Sequence, residues 1–339
     1  MSKLKKLSLK RTLVIILVMS LIIVAANFWP TNYYLESPGI AQELSSFITI
    51  NNGDYFENIE GNLRLTAVSL ESASVMDYYY VSLFRPEGVN LVPLEKRLPP
   101  GVEMEEYFEM MRDVMKESQL KAKAVALEKA GYETQISGQG AEVIKVLAES
   151  YAQGKLEPGD IIVEVDGQRV ELVTEVVDLI QDREIGAEAE LTVKRGDERL
   201  NFNIKTKELE DSPEQASLGI LISSYQRSFD FPISIEIEAG EIGGPSAGMM
   251  FSLEILNRLT IADLTAGNDI AGTGTIDLEG KVGQISGVQQ KVIAARKEGA
   301  DFFLAPVENY QTAQEVAEGI EVVSIADIEE AIAFLDSLK

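Results

Sequence analysis

The most constraining stretch of this chain runs from Asp230 to Leu256, where an alternating segment feeds a glycine-rich turn and then an apolar run. Ile233, Ile235 and Ile237 alternate with Ser234, Glu236 and Glu238, so residues 230–238 are expected as one half-buried strand. The run from Met249 to Leu256 suits a helix. Between them, Ile242-Gly243-Gly244-Pro245-Ser246-Ala247-Gly248 puts Ser246 where a turn enters a helix N-terminus. Glycines let a backbone approach a ligand closely, and the unpaired N–H groups of a first helical turn favour developing negative charge. Ser246 is therefore a candidate nucleophile, with Gly244, Pro245 and Ala247 as the loop around an oxyanion. The plainer alternative makes Ser246 a helix N-cap, a role that serine fills often.

Composition narrows the chemistry. The chain has no histidine and no cysteine, which excludes a Ser-His-Asp triad, a Cys-His pair and an H-E-x-x-H zinc site. No cofactor is expected. A base for Ser246 must then be an amine or a carboxylate. Free lysine titrates near ~10.4 and is protonated at neutral pH, but burial among apolar neighbours lowers that value.

A second stretch runs Gly272-Thr273-Gly274-Thr275-Ile276-Asp277-Leu278-Glu279-Gly280-Lys281 and continues through Gly287-Val288-Gln289-Gln290-Lys291-Val292-Ile293-Ala294-Ala295-Arg296. Together with G-P-S-A-G it resembles the proteolytic domain of the Lon family. The resemblance implies a Ser–Lys dyad in which Ser246 is the nucleophile and Lys291 its base, with Thr273 as the threonine beside the lysine. Without that resemblance, Lys291 reads as an exposed helix lysine. Asp113-Val114-Met115-Lys116-Glu117-Ser118 resembles a helix upstream of the Lon serine. The acidic residue that often precedes G-P-S-A-G in the family is Gly243 here.

Charge is unevenly spread. Of 30 basic residues, five (Lys3, Lys5, Lys6, Lys10, Arg11) precede residue 36, where there is no acid; the remainder carries 55 acids against 30 − 5 = 25 bases. That balance argues against a nucleic-acid partner. The apolar run from Leu13 to Trp29 reads as a transmembrane helix entered from the cytoplasm, with a cleaved signal peptide as the alternative. The first reading expects a single-pass protein of the cell membrane, its lipid contact at residues 13–29 and its catalytic domain extracellular.

Gly61 to Val68 alternates as a strand, Tyr78 to Phe84 is a second β-rich run, Pro99-Pro100-Gly101 breaks the chain, and helical spacing resumes from Met104 to Ala130. Leu156-Glu157-Pro158-Gly159-Asp160-Ile161-Ile162-Val163-Glu164-Val165-Asp166-Gly167 resembles the PDZ pattern L-x-x-G-D-x-I-x-x-V-x-G. A helix near 173–182 and a hairpin turned at Arg195-Gly196-Asp197 follow. Ser217-Leu218-Gly219-Ile220 has the hydrophobic-Gly-hydrophobic character of a peptide-binding loop but reads as the strand after that domain. The expected organisation is a basic tail (1–12), a transmembrane helix (13–29), a first protease segment (30–130), a PDZ domain (131–208) and a Lon-type catalytic segment (209–339). The fold class is α+β with mixed sheets, a PDZ insertion and one N-terminal transmembrane helix.

No P-loop accompanies it: the nearest stretch, at Gly274 to Lys281, has five residues between its glycines and Val282 where Ser or Thr must hold Mg²⁺. The whole chain resembles membrane-anchored PDZ–Lon proteases of Gram-positive bacteria. The resemblance implies an ATP-independent serine endopeptidase acting on secreted peptides or small unfolded envelope proteins, and it hints at a homo-oligomeric ring. The rival reading is a non-catalytic PDZ-based binding protein on a Lon-like fold.

Overall fold

Pro232 decides how the chain is divided. A proline has no N–H to give a sheet, and the single strand expected over residues 230–238 is two. Ser228–Asp230 pairs antiparallel with Gln135–Ser137, whereas Ile235–Ile237 pairs with Ile48–Ile50. The computed structural model describes residues 2–51, 55–56, 60–94, 104–209, 212–261 and 263–339; the break expected at Pro99-Pro100-Gly101 lies outside them. Two compact units result: residues 1–133 with 232–339, and Thr134–Phe231.

The enclosing unit is built on a six-stranded mixed sheet. Its order is Glu321–Ile325, Phe302–Pro306, Asp269–Gly272, Asn62–Ser74, Pro30–Glu43, Asn90–Pro93. The first four run parallel and the last two join antiparallel. Side chains alternate across a sheet, and the strand Asp269–Gly272 shows where its two faces lead. Ala271 packs in a core cluster with Val288, Val292 and Ala295 of the helix Val288–Lys297. Gly272 faces the other way, where an added Cβ would lie 2.5 Å from Met250 of the helix Gly248–Leu259. These two helices thus cover opposite faces and bring their N-terminal ends to the C-terminal end of one parallel strand. In open α/β sheets that end of the strands is where ligands gather.

The inserted unit is an antiparallel sheet in the order Glu198–Lys205, Glu188–Arg195, Ile161–Val165, Ala141–Val146, Ile220–Ser224, with Gln168–Arg169 paired to Ile161–Val165. Gly196 at φ 59° turns the hairpin that pairs Arg195 with Glu198. The helix Val173–Gln181 buries Val176 and Ile180 against a core that includes Val143, Ile162 and Leu191. The strand Ile220–Ser224 pairs with Ala141–Val146. It therefore belongs to this sheet, and the unit runs past residue 208.

Two further expectations are corrected. Tyr78 to Phe84 lies in a helix, Val75–Phe84, because Ser74 and Asp77 form a capping box: Ser74 Oγ accepts from the Asp77 N–H and the Asp77 carboxylate accepts from the Ser74 N–H. That local signal outweighs the β-preference of the tyrosines. At the N-terminus, Ser2–Phe28 is a helix, but among the described residues no helix is long and apolar enough to cross a membrane. Only residues 13–28 of the apolar run are helical, 28 − 13 + 1 = 16 residues, before a strand begins at Pro30. At about 1.5 Å per residue they reach ~24 Å, short of a hydrocarbon core of about 30 Å. The transmembrane helix in the expected fold class, and the single-pass cell-membrane placement built on it, are overturned.

Candidate active site

Ser246 is not a helix cap. Ala247 holds the N-cap position of Gly248–Leu259 and no side chain caps it. The Ser246 side chain is turned instead toward Lys291, whose Nζ lies 2.6 Å from its Oγ. Lys291 sits one turn into its own helix, its N–H bonded to the Gly287 carbonyl at 3.1 Å. Gly287 adopts φ 72°, and any Cβ there would come within 2.7 Å of Val68, so this turn requires glycine. Thr273 immediately follows the strand Asp269–Gly272. Its hydroxyl accepts from Lys291 Nζ at 2.8 Å and donates to the Ser246 carbonyl at 2.9 Å. The structure thus brings Ser246, Lys291 and Thr273 into one hydrogen-bonded chain.

The electrostatics follow from burial. Lys291 is 3% exposed and Thr273 1%. Desolvation pushes the Lys291 amine down to about 7, because an ammonium removed from water without a carboxylate partner is disfavoured. Its hydrogen-bond partners are two neutral hydroxyls, which position the amine but stabilise an ammonium less than a carboxylate would.

Sequence reasoning named the serine loop but not what holds it. The Gly244 N–H, at φ 86°, donates to the Met111 carbonyl at 2.8 Å. Ser118 Oγ donates to the Pro245 carbonyl at 3.0 Å, and the Gly274 N–H to the Ser246 carbonyl at 2.8 Å. Met111 and Ser118 belong to the helix Met104–Lys129. A Cβ at Gly243 would lie 3.0 Å from Met111 Cβ, so the helix occupies the space that an acidic side chain at Gly243 would need. A main-chain carbonyl leaves no trace in residue type; only the D-V-M-K-E-S motif pointed toward Ser118. Of the expected oxyanion loop, Gly244 has committed its N–H and Pro245 has none. The N–H groups of Ser246 and Ala247 have no hydrogen-bond partner among the described residues.

A cleft of about 560 Å³ opens on Ser246 and Lys291, walled by Ile40, Val68, Leu70, Tyr107, Phe108 and Met111. One wall is a bare sheet edge: the strand Asn62–Ser74 outruns its parallel neighbour, whose pairing ends at Gly272 opposite Leu65. Residues 66–70 line the cleft beyond that point.

Residues 217–335 match the Lon protease (S16) C-terminal proteolytic domain. Residues 103–206 match the PDZ domain family. The two matches meet near residue 210, whereas the fold divides at 134 and 231. Lon protease 2 of Bacillus subtilis (strain 168) is 30% identical over 131 residues, covering 38% of this chain and 23% of the relative. Lon protease of Mycoplasma mobile is 33% identical over 136 residues, covering 37% of this chain and 16% of the relative. The chain thus spans less than a quarter of the length of these relatives. Among solved structures, the PDZ domain of the SdrC-like protein from Listeria innocua is 28% identical and covers 24% of this chain and 92% of that one, with a TM-score of 0.23. The Lon-type match and these relatives support a serine peptidase. Ser246, Thr273 and Lys291 all lie within the Lon-type segment.

In the inserted unit a smaller apolar cavity of about 140 Å³ lies between the helix Val173–Gln181 and the strand Ile220–Ser224, lined by Val176, Ile180, Leu218 and Ile220. The Ser217-Leu218-Gly219-Ile220 run forms its rim, with Gly219 at φ 65° and Ser150 Oγ donating to the Leu218 carbonyl at 2.6 Å. In sequence this run has no binding role because it falls after the domain whose motif ends at Gly167.

Proposed function

We propose that this chain is a serine endopeptidase in which Ser246 attacks and Lys291 is the general base. The observation that carries the reading is a nearly water-free amine, lowered to about 7, 2.6 Å from a serine hydroxyl. As a neutral amine Lys291 accepts the Ser246 proton while Oγ adds to the scissile carbonyl. The N–H groups of Ser246 and Ala247, without partners among the described residues, are available to the developing oxyanion. The resulting ammonium then protonates the leaving amine, and water releases the acyl group by the same steps in reverse. Thr273 spends its own proton on the Ser246 carbonyl, so its lone pair aligns the amine. None of these steps uses a nucleotide, and we read the cleavage as ATP-independent.

The substrate is a short or unfolded polypeptide that adds as a strand to the bare edge beyond Leu65, with an apolar side chain in the Tyr107–Met111 cleft. The cavity beside Leu218 and Ile220 takes an apolar peptide anchor and selects substrates without doing chemistry. A binding-only protein leaves the cost of burying Lys291 without a purpose. A serine-directed acylating probe tests the reading. Labelling is expected at Ser246 in the wild type and nowhere in Ser246→Ala or Lys291→Ala; full cleavage by folded Lys291→Ala overturns it.

A further inference from the structure

The apolar cleft accounts for one side of a bound polypeptide only. An extended chain whose carbonyl reaches Ser246 Oγ must leave the site on the other side as well. Pro245 and Thr275 line the apolar cleft and also a second one of about 440 Å³. They form a ridge between the two, next to the nucleophile. The second cleft lies between the helix Met104–Lys129 and the ribbon in which Thr275–Ile276 pairs with Val282–Gly283. Its chemistry differs from that of the first: four charged side chains, Glu117, Lys121, Asp277 and Lys281, line it.

These charges are not equivalent. Glu117 and Lys121 pair with each other across one helical turn at 3.7 Å. Asp277 is occupied by its turn, one carboxylate oxygen accepting the Lys281 N–H at 2.7 Å while its own N–H donates to the Lys281 carbonyl at 3.1 Å. Lys281 is held at its backbone by this turn and by a bridge to Asp327, yet its exposed Nζ has no hydrogen-bond or ion-pair partner among the described residues. The turn thus fixes the Lys281 backbone and leaves its ammonium lining the cleft without an ion pair among the described residues.

We propose that this second cleft is a substrate subsite in which Lys281 receives an acidic side chain, on the side of the scissile bond opposite the apolar anchor. The inference rests on the reading of Ser246 as nucleophile and adds a specificity that reading does not contain. The peptidase then prefers bonds flanked by an apolar residue on one side and an aspartate or glutamate on the other. An exposed ion pair gives a modest effect, about threefold to fivefold in kcat/KM.

The test uses the full chain and matched peptides that keep one apolar anchor and carry Glu, Gln or Lys at successive positions across the cleaved bond. Wild type is expected to favour Glu over Lys severalfold at one position opposite the anchor. Lys281→Glu is expected to reverse that order when each rate is taken relative to the variant's own rate on the Gln peptide. Equal cleavage of the three peptides, or a Glu preference that survives in Lys281→Glu, overturns the subsite. Cleavage that persists in Ser246→Ala would instead strike the nucleophile assignment, so the two failures are told apart. Lys281→Gln, which removes the charge without introducing repulsion, should abolish the preference without reversing it; retention of the Glu preference there also overturns the proposal.

Discussion

Each unit deeply buries a charged side chain, Asp160 in the inserted unit and Lys291 in the enclosing one, and the two are handled in opposite ways. Asp160 of the inserted unit is 1% exposed, and its carboxylate meets the Arg195 guanidinium through two bonds of 2.6 and 2.7 Å while accepting the Glu157 N–H at 2.9 Å. Burial alone would raise Asp160, but these partners hold it below the usual carboxylate range. Lys291 is buried as deeply and has no counter-ion in its hydrogen bonds, and burial pushes it down. A charge matched by a fork of donors is a structural rivet. A charge denied its match becomes a base at neutral pH. The contrast separates the unit proposed to recognise from the unit proposed to react better than any count of polar residues could.

The largest effect should come from removing the reactive pair. Ser246→Ala and Lys291→Ala are each expected to lower kcat/KM on an unstructured peptide by roughly 10⁴-fold or more, and Lys291→Arg should not rescue it, since guanidinium stays charged. The rate of the wild type should rise with pH through about 7, the value at which Lys291 becomes neutral. A pH-independent rate between 5 and 9 (roughly two units either side) would break the comparison on the reactive side.

Next comes the rivet. Asp160→Ala is expected to cost the inserted unit about 3 kcal/mol, the low end for breaking a buried pair, because Arg195 keeps 32% of its side chain exposed. Calorimetry should show one transition lowered, while cleavage of a generic unstructured peptide stays near wild type. Since the folded Asp160 is depressed, its contribution is present above the unfolded value near ~3.9 and is lost as pH falls through the lower folded one.

A smaller, opposite effect is expected at Lys291. Folded Lys291 is lowered to about 7 from an unfolded value near ~10.4. Between those limits the unfolded state binds more protons, so wild-type stability rises with pH there. Lys291→Met should therefore stabilise the enclosing unit by a few kcal/mol below pH 7 (about the folded value), and the gain should shrink toward pH ~10. Chemical denaturation at three pH values would decide it; a gain that did not vary with pH would mean that the lysine is not titrating as argued.

Thr273→Val should give the smallest change, about tenfold in kcat with little in KM. Its hydroxyl oxygen accepts from Lys291 Nζ and so favours the ammonium. Removing it should also move the rising limb of the pH–rate profile to lower pH. A tenfold loss with an unmoved limb would reduce Thr273 to packing.

What could be read in advance depended on whether the information sat in side chains. Ser246, Thr273 and Lys291 stand in motifs whose residue types announce themselves, and the Gly196 turn is equally explicit. The clasp from the Met111 carbonyl to Gly244 is a main-chain contact, and Met111 is followed by helix either way. The helix at Val75–Phe84 is masked in the sequence by the β-preference of its tyrosines, and its signal is the local Ser74–Asp77 box. Pro232 was visible, yet the isoleucine alternation across it concealed a change of unit. The apolar run at residues 13–29 suggested a span by composition, while its helical portion stops one residue earlier and falls short in length. In the inserted unit, the rim at Leu218 was separated from its motif by the return of the chain.

The order in which the site's parts are synthesised has a consequence of its own. Met111 and Ser118, which hold the serine loop, precede the insertion; Ser246, Thr273 and Lys291 follow it. On a ribosome the inserted unit can close its sheet once Ile220–Ser224 has emerged, while the strands Asp269–Gly272, Phe302–Pro306 and Glu321–Ile325 are still to come. On the proposed reading, Ser246 meets Lys291 only after the whole inserted unit has been made. If the proposed roles hold, a nascent chain carries a folded inserted unit while its serine still lacks a base, and it is held inactive until Lys291 and the strands around it have emerged.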